Sequence, residues 1–278
     1  MVDLHIHSTA SDGTLTPEEV VRVAVRKGLT AISVADHDTV AGSSAARAAA
    51  RGTGLEVIPG IEISTQDGRR ELHLLGYFVD YGDAELQDAL ARARGARQER
   101  IREMVVRLQG LGVRVALEDV ARHASGGAWG RPHLAAALVS AGVVREPQEA
   151  FQRYLRRGRP AFVDRWKLPT CDAIALIRGA GGIAVFAHPG LCDYDGEIKR
   201  FVECGLEGLE AYHVDQSPAQ TERYIRLARA LGLVVTGGTD SHGPAGPTPV
   251  EIGQVAVPDS CAEELRDRFE RSGRQVGR

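Results

Sequence analysis

Two histidines stand near the start of the chain, His5 and His7 in Val2-Asp3-Leu4-His5-Ile6-His7, where side chains alternate as in a half-buried strand. Alternation sends Val2, Leu4 and Ile6 to one face and both imidazoles to the other, so two rings on one strand can grip a single metal ion. Asp12 adds a hard oxygen donor in the turn that follows, and Gly13 lets the backbone bend sharply there. The pattern then repeats. His37, Glu62, His188, His213 and the pair Asp240 and His242 each stand at the end of a further β-rich run, and His73 lies inside another. Seven of the nine histidines belong to this set, leaving His123 and His133 outside it.

Imidazoles and carboxylates without a thiolate suit Zn2+, Mn2+ or Fe2+ better than a soft metal. One ion takes about four to six ligands, so this many donors implies two or three divalent ions. Single members read in two ways: His73 as a ligand or a buried core histidine, His213 as a ligand or a contact to substrate. Asp36 and Asp38, either side of His37, fit turn residues better than ligands.

Donors so far apart in sequence must be gathered by the fold. Thr16-Pro17-Glu18-Glu19 marks a helix start, with Thr16 as cap and Glu19 closing a capping box, and that helix should end at Gly28. Strand-like runs cover residues 30–35, 55–62 and 72–78, with an alanine-rich helix over 45–51. Further runs at 183–187, 208–212, 233–239 and 252–257 alternate with helices opened by Thr170 and by Ser217-Pro218, and a charged helix ends the chain. This alternation predicts an α/β fold, a barrel of parallel strands whose ends share one rim. Residues 83–165 break the rhythm with helical periodicity alone: one long segment to Gly110, then shorter ones near 117–124, 132–141 and 146–155. They read as a helical insertion between barrel segments 1–82 and 166–278, with looser joints at Gly126-Gly127 and Gly158-Arg159-Pro160.

A length of 278 residues allows one large domain or a domain carrying a smaller insert, and 43% hydrophobic with 26% charged residues describes an ordinary globular chain. No apolar run reaches the ~18 residues of a membrane span. Met1 leads directly into the first strand, so a cytoplasmic protein without a removable signal is expected. Cys171, Cys192, Cys204 and Cys261 lack C-x-x-C spacing, which suggests neither a zinc knuckle nor a disulfide framework but four reduced thiols. A formal charge of −3 does not favour nonspecific nucleic-acid binding, yet residues 83–165 hold 15 Arg, no Lys and 10 acidic residues, a net +5 against −8 elsewhere. Most of these arginines belong on solvated helix faces, and a minority can attract a phosphate-bearing ligand.

The motifs together resemble the PHP (polymerase and histidinol phosphatase) family of metallohydrolases: H-x-H-x4-D in His5, His7 and Asp12, A-D-H-D over Ala35 to Asp38, G-x-E at Gly60 to Glu62, A-H-P at Ala187 to Pro189, and D-x-H at Asp240 to His242. They run in order along nearly the whole chain, and no motif position departs from the family pattern. The resemblance implies a distorted (β/α)7 barrel and a trinuclear site. By position it puts His5, His7, Glu62 and Asp240 on one ion, Glu62, His73 and His188 on a second, and Asp12, His37 and His242 on a third. A helical insertion after His73 resembles the stand-alone bacterial members that remove phosphate from nucleotides or trim short RNA from its 5′ end.

The expected activity is metal-dependent phosphoester hydrolysis, with closely spaced ions holding a bridging hydroxide and neutralising charge on the phosphoryl and leaving oxygens. Glu62 is the candidate bridge, and turnover should depend on Asp240 as well. Arg131, in Trp129-Gly130-Arg131-Pro132-His133, offers bidentate donors to a phosphate at a helix start unless it is an ordinary surface arginine. His213 could touch the phosphate or protonate the leaving oxygen. The expected substrate is a nucleoside 3′,5′-bisphosphate, a 5′-mononucleotide or the 5′ end of a short RNA, with histidinol phosphate second and amide hydrolysis a further alternative. Trp129, Phe151, Tyr154 and Trp166 could stack on a base, although core packing is the commoner fate of such residues. Neither a membrane nor a stable protein partner is expected.

Overall fold

Strand β1, Val2–Ile6, forms where the alternation of the first residues requires it, in a computed structural model that describes residues 1–124, 129–244, 246 and 249–274. All five of its residues are buried, because the face carrying His5 looks into the protein and not to solvent. Helix α1, Pro17–Arg26, starts on the expected capping box of Thr16 and Glu19, and Gly28 ends the turn behind it at φ +68°. Strand β2, Ala31–Val34, lies parallel to β1 and to the short β3, Glu56–Val57; helix α2, Ala41–Ala49, opens four residues before the alanine run.

The run at 55–62 is not one strand. Pro59 has no N–H to give a ladder, so β3 stops at Val57 and a new strand, β4, Gly60–Asp67, begins beyond it. Glu62 is therefore the third residue of β4 and not the end of an earlier strand. Strand β5, Arg70–Tyr77, returns from β4 as an antiparallel hairpin around Asp67-Gly68, with Gly68 at φ +55°. β5 also lies antiparallel to β7, Ile183–Phe186, so the expected all-parallel arrangement fails here. A short β6, Leu168–Pro169, joins the other edge of β4, while β8, Gly208–Tyr212, and β9, Val234–Gly237, extend the sheet in parallel beyond β7. Residues 252–257 make no strand; Val257 contributes a single bridge to Val2.

The result is a mixed α/β fold with one sheet ordered β1-β2-β3 and another ordered β6-β4-β5-β7-β8-β9. Isolated bridges join them at two places. Ile6 meets Ser241 just beyond β9, with Asp240 N donating to His5 O (2.8 Å) and His7 N to Ser241 O (2.9 Å). His37 meets Glu62, with Asp38 N donating to Glu62 O (2.8 Å).

Helix α3, Ala84–Gly110, is capped by Asp83 and spans two apolar clusters. Its Leu86 and Leu90 pack into the main core with Leu74, Phe186 and Leu209, whereas Ile101, Met104 and Leu108 pack with Val120, Leu134 and Leu138 from α4, Leu117–Ala121, and α5, Arg131–Ser140. Helix α6, Pro147–Ala150, runs into a π-helical turn, Phe151–Leu155, on the same second cluster. Trp129, Phe151 and Tyr154 pack on this cluster as well, while Trp166 stays 40% exposed with the Arg92 guanidinium 4.6 Å from its ring centre. Of the two joints, Gly158 lies at φ +82°, and Gly126-Gly127 falls outside the described residues.

Helices α7, Thr170–Gly179, α8, Ile198–Glu203, α9, Pro218–Ala230, and α10, Asp259–Arg271, cover the sheets, and α9 starts on the capping box of Ser217 and Gln220. Packing of α7 against α8 corrects the expectation of four thiols. It brings Cys171 and Cys204 to a Cα separation of 5.5 Å and pairs them in a disulfide, which leaves Cys192 and Cys261 free. Among the described residues no helix is long and apolar enough to cross a membrane.

Candidate metal centre

The donors expected at the strand ends are brought to one place. His5 lies in β1 and His7 just after it, and the chain from Ser8 to Asp12 folds back because Asp36 accepts from Ser8 N (2.8 Å), Ser8 Oγ (2.6 Å) and Ser11 Oγ (2.5 Å). Asp36 is thus a turn residue. Asp38 also faces away from the cluster, taking Arg97 Nε at 2.6 Å and Ser64 N at 3.0 Å. Gly13 does not bend the chain through a positive φ. A Cβ there would lie 2.5 Å from His7 O, so glycine leaves room for the loop to close. Three residues of this region hold left-handed backbone, namely Asp38 at φ +54°, His188 at +30° and Asp240 at +52°, and such strain in non-glycine residues persists only where the surroundings enforce it.

Glu62 is fully buried at the middle of the cluster. Its Oε1 lies 2.9 Å from His73 Nδ1, 3.2 Å from His188 Nε2 and 3.5 Å from His5 Nε2; its Oε2 lies 2.8 Å from His37 Nδ1 and 3.3 Å from His7 Nε2. Asp240 Oδ1 is 2.9 Å from His7 Nε2, and Asp12 Oδ1 is 3.3 Å from His242 Nε2. The donor atoms form three overlapping groups, each within 4.8 Å: His5, His7 and Asp240; His37, Glu62 and His73; and His7, Asp12, His37 and His242. His188 reaches the cluster through Glu62, and His213 through Asp240 Oδ2 at 3.7 Å.

At several of these atoms closeness is not hydrogen bonding. Glu62 Oε2, Asp12 Oδ1 and His37 Nδ1 are buried without a hydrogen-bond partner, although each has an opposite donor or acceptor atom within 4 Å. Lone pairs converge on common points instead of on protons, as they do around a cation.

The second ring nitrogens sort the histidines by tautomer. His5 Nδ1 lies 3.0 Å from the Glu210 carboxylate, and His242 Nδ1 lies 2.9 Å from the carbonyl oxygen of Asp240; both acceptors call for Nδ1–H and leave the Nε2 lone pair for the cluster. His213 is the opposite case. Asp215 N donates to its Nδ1 at 3.1 Å, so Nε2 carries the proton and faces Asp240. His133 is held likewise, with Gly130 N donating to Nδ1 at 3.0 Å.

Electrostatics agree with a site built for positive charge. Burial penalises the ionised carboxylates, yet His242 and His37 hold Asp12 well below its usual range, and His37, His73 and His5 do the same for Glu62. Burial opposes protonation of His7 too, but the adjacent Asp240 and Glu62 carboxylates raise it to about 10. At His37 burial wins, and its pKa falls to about 4.

Sequence reasoning missed Glu210. It is fully buried in β8, faces His5, and also accepts from His188 N at 2.7 Å, so one carboxylate orients two of the cluster's residues. The signal was a carboxylate in the middle of the apolar run Gly208-Leu209-Glu210-Ala211-Tyr212. Arg131 opens α5 after Gly130, beside the cluster: a methyl group on Gly130 would lie 3.6 Å from Asp12 Oδ2. Its guanidinium makes no hydrogen bond or ion pair among the described residues and lies 5.9 Å from the Phe151 ring centre. A cleft of about 350 Å3 runs between Asp12, Thr14, Arg122, His133 and Pro147, and a smaller one of about 140 Å3 opens at His213, Asp240 and His242. A groove of about 690 Å3 over Leu15, Val23 and Ile252 is larger, but it carries none of these donor groups.

The chain is similar to known proteins along most of its length. The PHP domain model matches residues 3–116. The 5′-3′ exoribonuclease Rnm of Salmonella typhimurium is 36% identical over 87% of this chain and 85% of its own, and the 3′,5′-nucleoside bisphosphate phosphatase of Chromobacterium violaceum is 33% identical over 87% of each. A crystal structure from Bifidobacterium adolescentis, assigned as a metal-dependent phosphoesterase, superposes with a TM-score of 0.89 at 33% identity, covering 96% of both chains.

Proposed function

This chain belongs to the PHP family of metal-dependent phosphoesterases, and from that premise we propose a site of two to three divalent ions that acts on nucleotides or on the 5′ end of short RNA. The observation that carries the reading is Glu62, fully buried, with five imidazoles within 3.5 Å and an Oε2 that accepts no hydrogen bond. The donor set fits Mn2+, Fe2+ or Zn2+. His5, His7, Glu62 and Asp240 would hold one ion, Glu62, His73 and His188 another, and Asp12, His37 and His242 a third. Bound there, such ions supply Lewis acidity that activates water and offsets charge on the phosphoryl oxygens.

The chain's own residues do the rest. Glu62 offers an oxygen to each of two neighbouring sites, Glu210 orients His5 and the backbone at His188, and Asp240 ties His213 to the cluster. His213 presents an Nε2–H, which favours donating a hydrogen bond to a phosphoryl or leaving oxygen over ligating an ion through that atom. Arg131, with no hydrogen bond or ion pair among the described residues, is positioned to hold a phosphate. The bridges at Ile6–Ser241 and His37–Glu62 support closure of the two sheets into a distorted (β/α)7 barrel made of residues 1–82 and 166–278. The separate apolar cluster of α4 to α6 supports residues 83–165 as a cap that gives walls for a base and ribose.

A phosphate-release screen with Mn2+ added tests this reading over a nucleoside 3′,5′-bisphosphate, a 5′-mononucleotide, a 5′-phosphorylated RNA oligomer and histidinol phosphate. The nucleotide substrates should give the highest kcat/KM. A clear advantage for histidinol phosphate, or hydrolysis of amides in place of phosphate esters, would overturn it.

A further inference from the structure

Asp3 in β1 is fully buried and belongs to none of the donor groups of the metal centre. Its carboxylate receives four donors. Thr239 N reaches Oδ1 at 3.0 Å and Thr239 Oγ1 reaches Oδ2 at 2.7 Å; Gly253 N donates to Oδ2 at 2.8 Å, and His5 N lies 3.4 Å from Oδ1.

Two of these partners stand at the ends of one segment. Thr239 immediately precedes Asp240, and Gly253 lies past His242, so a single carboxylate holds both ends of the stretch that carries two candidate ligands. A firm hold is needed there. Asp240 has left-handed backbone at φ +52°, which a non-glycine residue keeps only where its surroundings over-determine it. Gly238 comes so close to β1 that a Cβ would lie 2.4 Å from His5 Cβ and from His5 N, and Gly238 N donates to Tyr212 O at 3.0 Å. The turn is thus packed between β1 and β8, and Asp3 fixes the residue from which Asp240 sets out. The chemistry admits no neutral copy. All four partners are N–H or O–H groups, two on each oxygen, so a near-isosteric asparagine would turn its NH2 toward two donors whichever way it was set.

We infer that Asp3 is a positioning residue of the metal centre, which through Thr239 and Gly253 sets the backbone that presents Asp240 and His242. The inference rests on the reading of the site as a divalent-metal phosphoesterase centre and adds a residue that acts on it without supplying a ligand. Its role differs from that of Glu210, which meets the His5 ring and the backbone at His188 but not the Asp240 turn.

Four full-length proteins decide it: wild type, Asp3→Asn, Thr239→Val and the double variant. Mn2+ binding is measured by calorimetric titration of the metal-stripped proteins, and kcat and KM are measured with a nucleoside 3′,5′-bisphosphate. Asp3→Asn should weaken Mn2+ binding about 10–100-fold, as loss of a residue that orients ligands does. Thr239→Val, nearly isosteric, removes one hydroxyl and should weaken it about 3–10-fold, the worth of one hydrogen bond, which covers the case in which Asp3→Asn does not fold. The double variant should lose no more than Asp3→Asn alone, because both substitutions act through one contact. In each variant kcat should fall while KM stays within about twofold of wild type. Wild-type Mn2+ affinity in the single variants, with only a lower unfolding temperature, would make Asp3 a fastening of the fold and overturn the inference; so would losses that add in the double variant. A wild-type chain that bound Mn2+ but released phosphate from no ester would refute the activity proposed above, whereas the Mn2+ titrations would still decide the role of Asp3.

Discussion

The metal centre and the cluster of Arg97, Arg100, Arg131, Arg165 and Lys167 beside the β4–β5 hairpin are neighbours built on opposite principles. At the metal centre unlike partners meet: carboxylates lie within 4 Å of imidazoles, and each residue is fixed by a strand or the loop just after it. In the arginine group like charges meet, carried on long side chains from two helices and a loop segment. The first arrangement is rigid before any ligand arrives. The second leaves guanidinium nitrogens of Arg100 and Arg165 buried without hydrogen-bond partners, so the two should respond very differently to substitution.

The largest expected effect is at Glu62. Replacement by alanine removes a donor shared by two of the proposed ion sites, and phosphate release should fall below detection while the thermal unfolding profile keeps its cooperativity. A fully active Glu62→Ala protein would place the chemistry elsewhere. Glu210→Gln should be milder. It keeps the shape and alters the acceptor for His5 Nδ1, and loss of such an orienting partner typically costs about 10–100-fold in metal affinity or activity. Metal content after dialysis against a chelator reads this directly, and wild-type retention would reduce Glu210 to a packing residue. The smallest effect on chemistry should come from Leu134→Ala, in the apolar cluster of α3 to α6. Truncating a fully buried leucine should destabilise by about 2–5 kcal/mol, seen in denaturant unfolding, yet kcat per folded molecule should barely change. A large fall in kcat would mean that the helical region shapes the metal centre itself.

The contrast also marks what could be read from the sequence. His5, His7, His37, His188 and His242 were legible because strand periodicity and fixed spacing are local, and a run that ends in a ligand declares its register. Glu210 was not, since a single carboxylate within a strand usually points to solvent, and only the packing of β8 against β7 and β9 turns it inward. Arg131 was legible from its place at a helix start. Arg100 and Arg165 were not, because helical periodicity over 83–165 cannot say which of 15 arginines face one another. The antiparallel β5 could have been anticipated. Asp67-Gly68 is a hairpin signal, and the two residues between β4 and β5 leave no room for a crossover helix. The Cys171–Cys204 pair had no comparable sign, with 33 residues between them and no motif.

The bridge between Ile6 and Ser241 has a consequence for biosynthesis. His7 and Asp240, whose side chains approach to 2.9 Å, are carried by segments at opposite ends of the chain, and Asp240 N closes onto His5 O only when both are present. Until the segment after β9 has been synthesised, β1 lacks that neighbour and the centre lacks Asp240 and His242. Contacts of such long sequence separation form late, after the loop-closure entropy has been overcome. A nascent chain therefore carries His5 and His7 without the carboxylate that completes their group until Asp240 is made. The group of His5, His7 and Asp240 is therefore completed in one step, when the segment after β9 reaches β1.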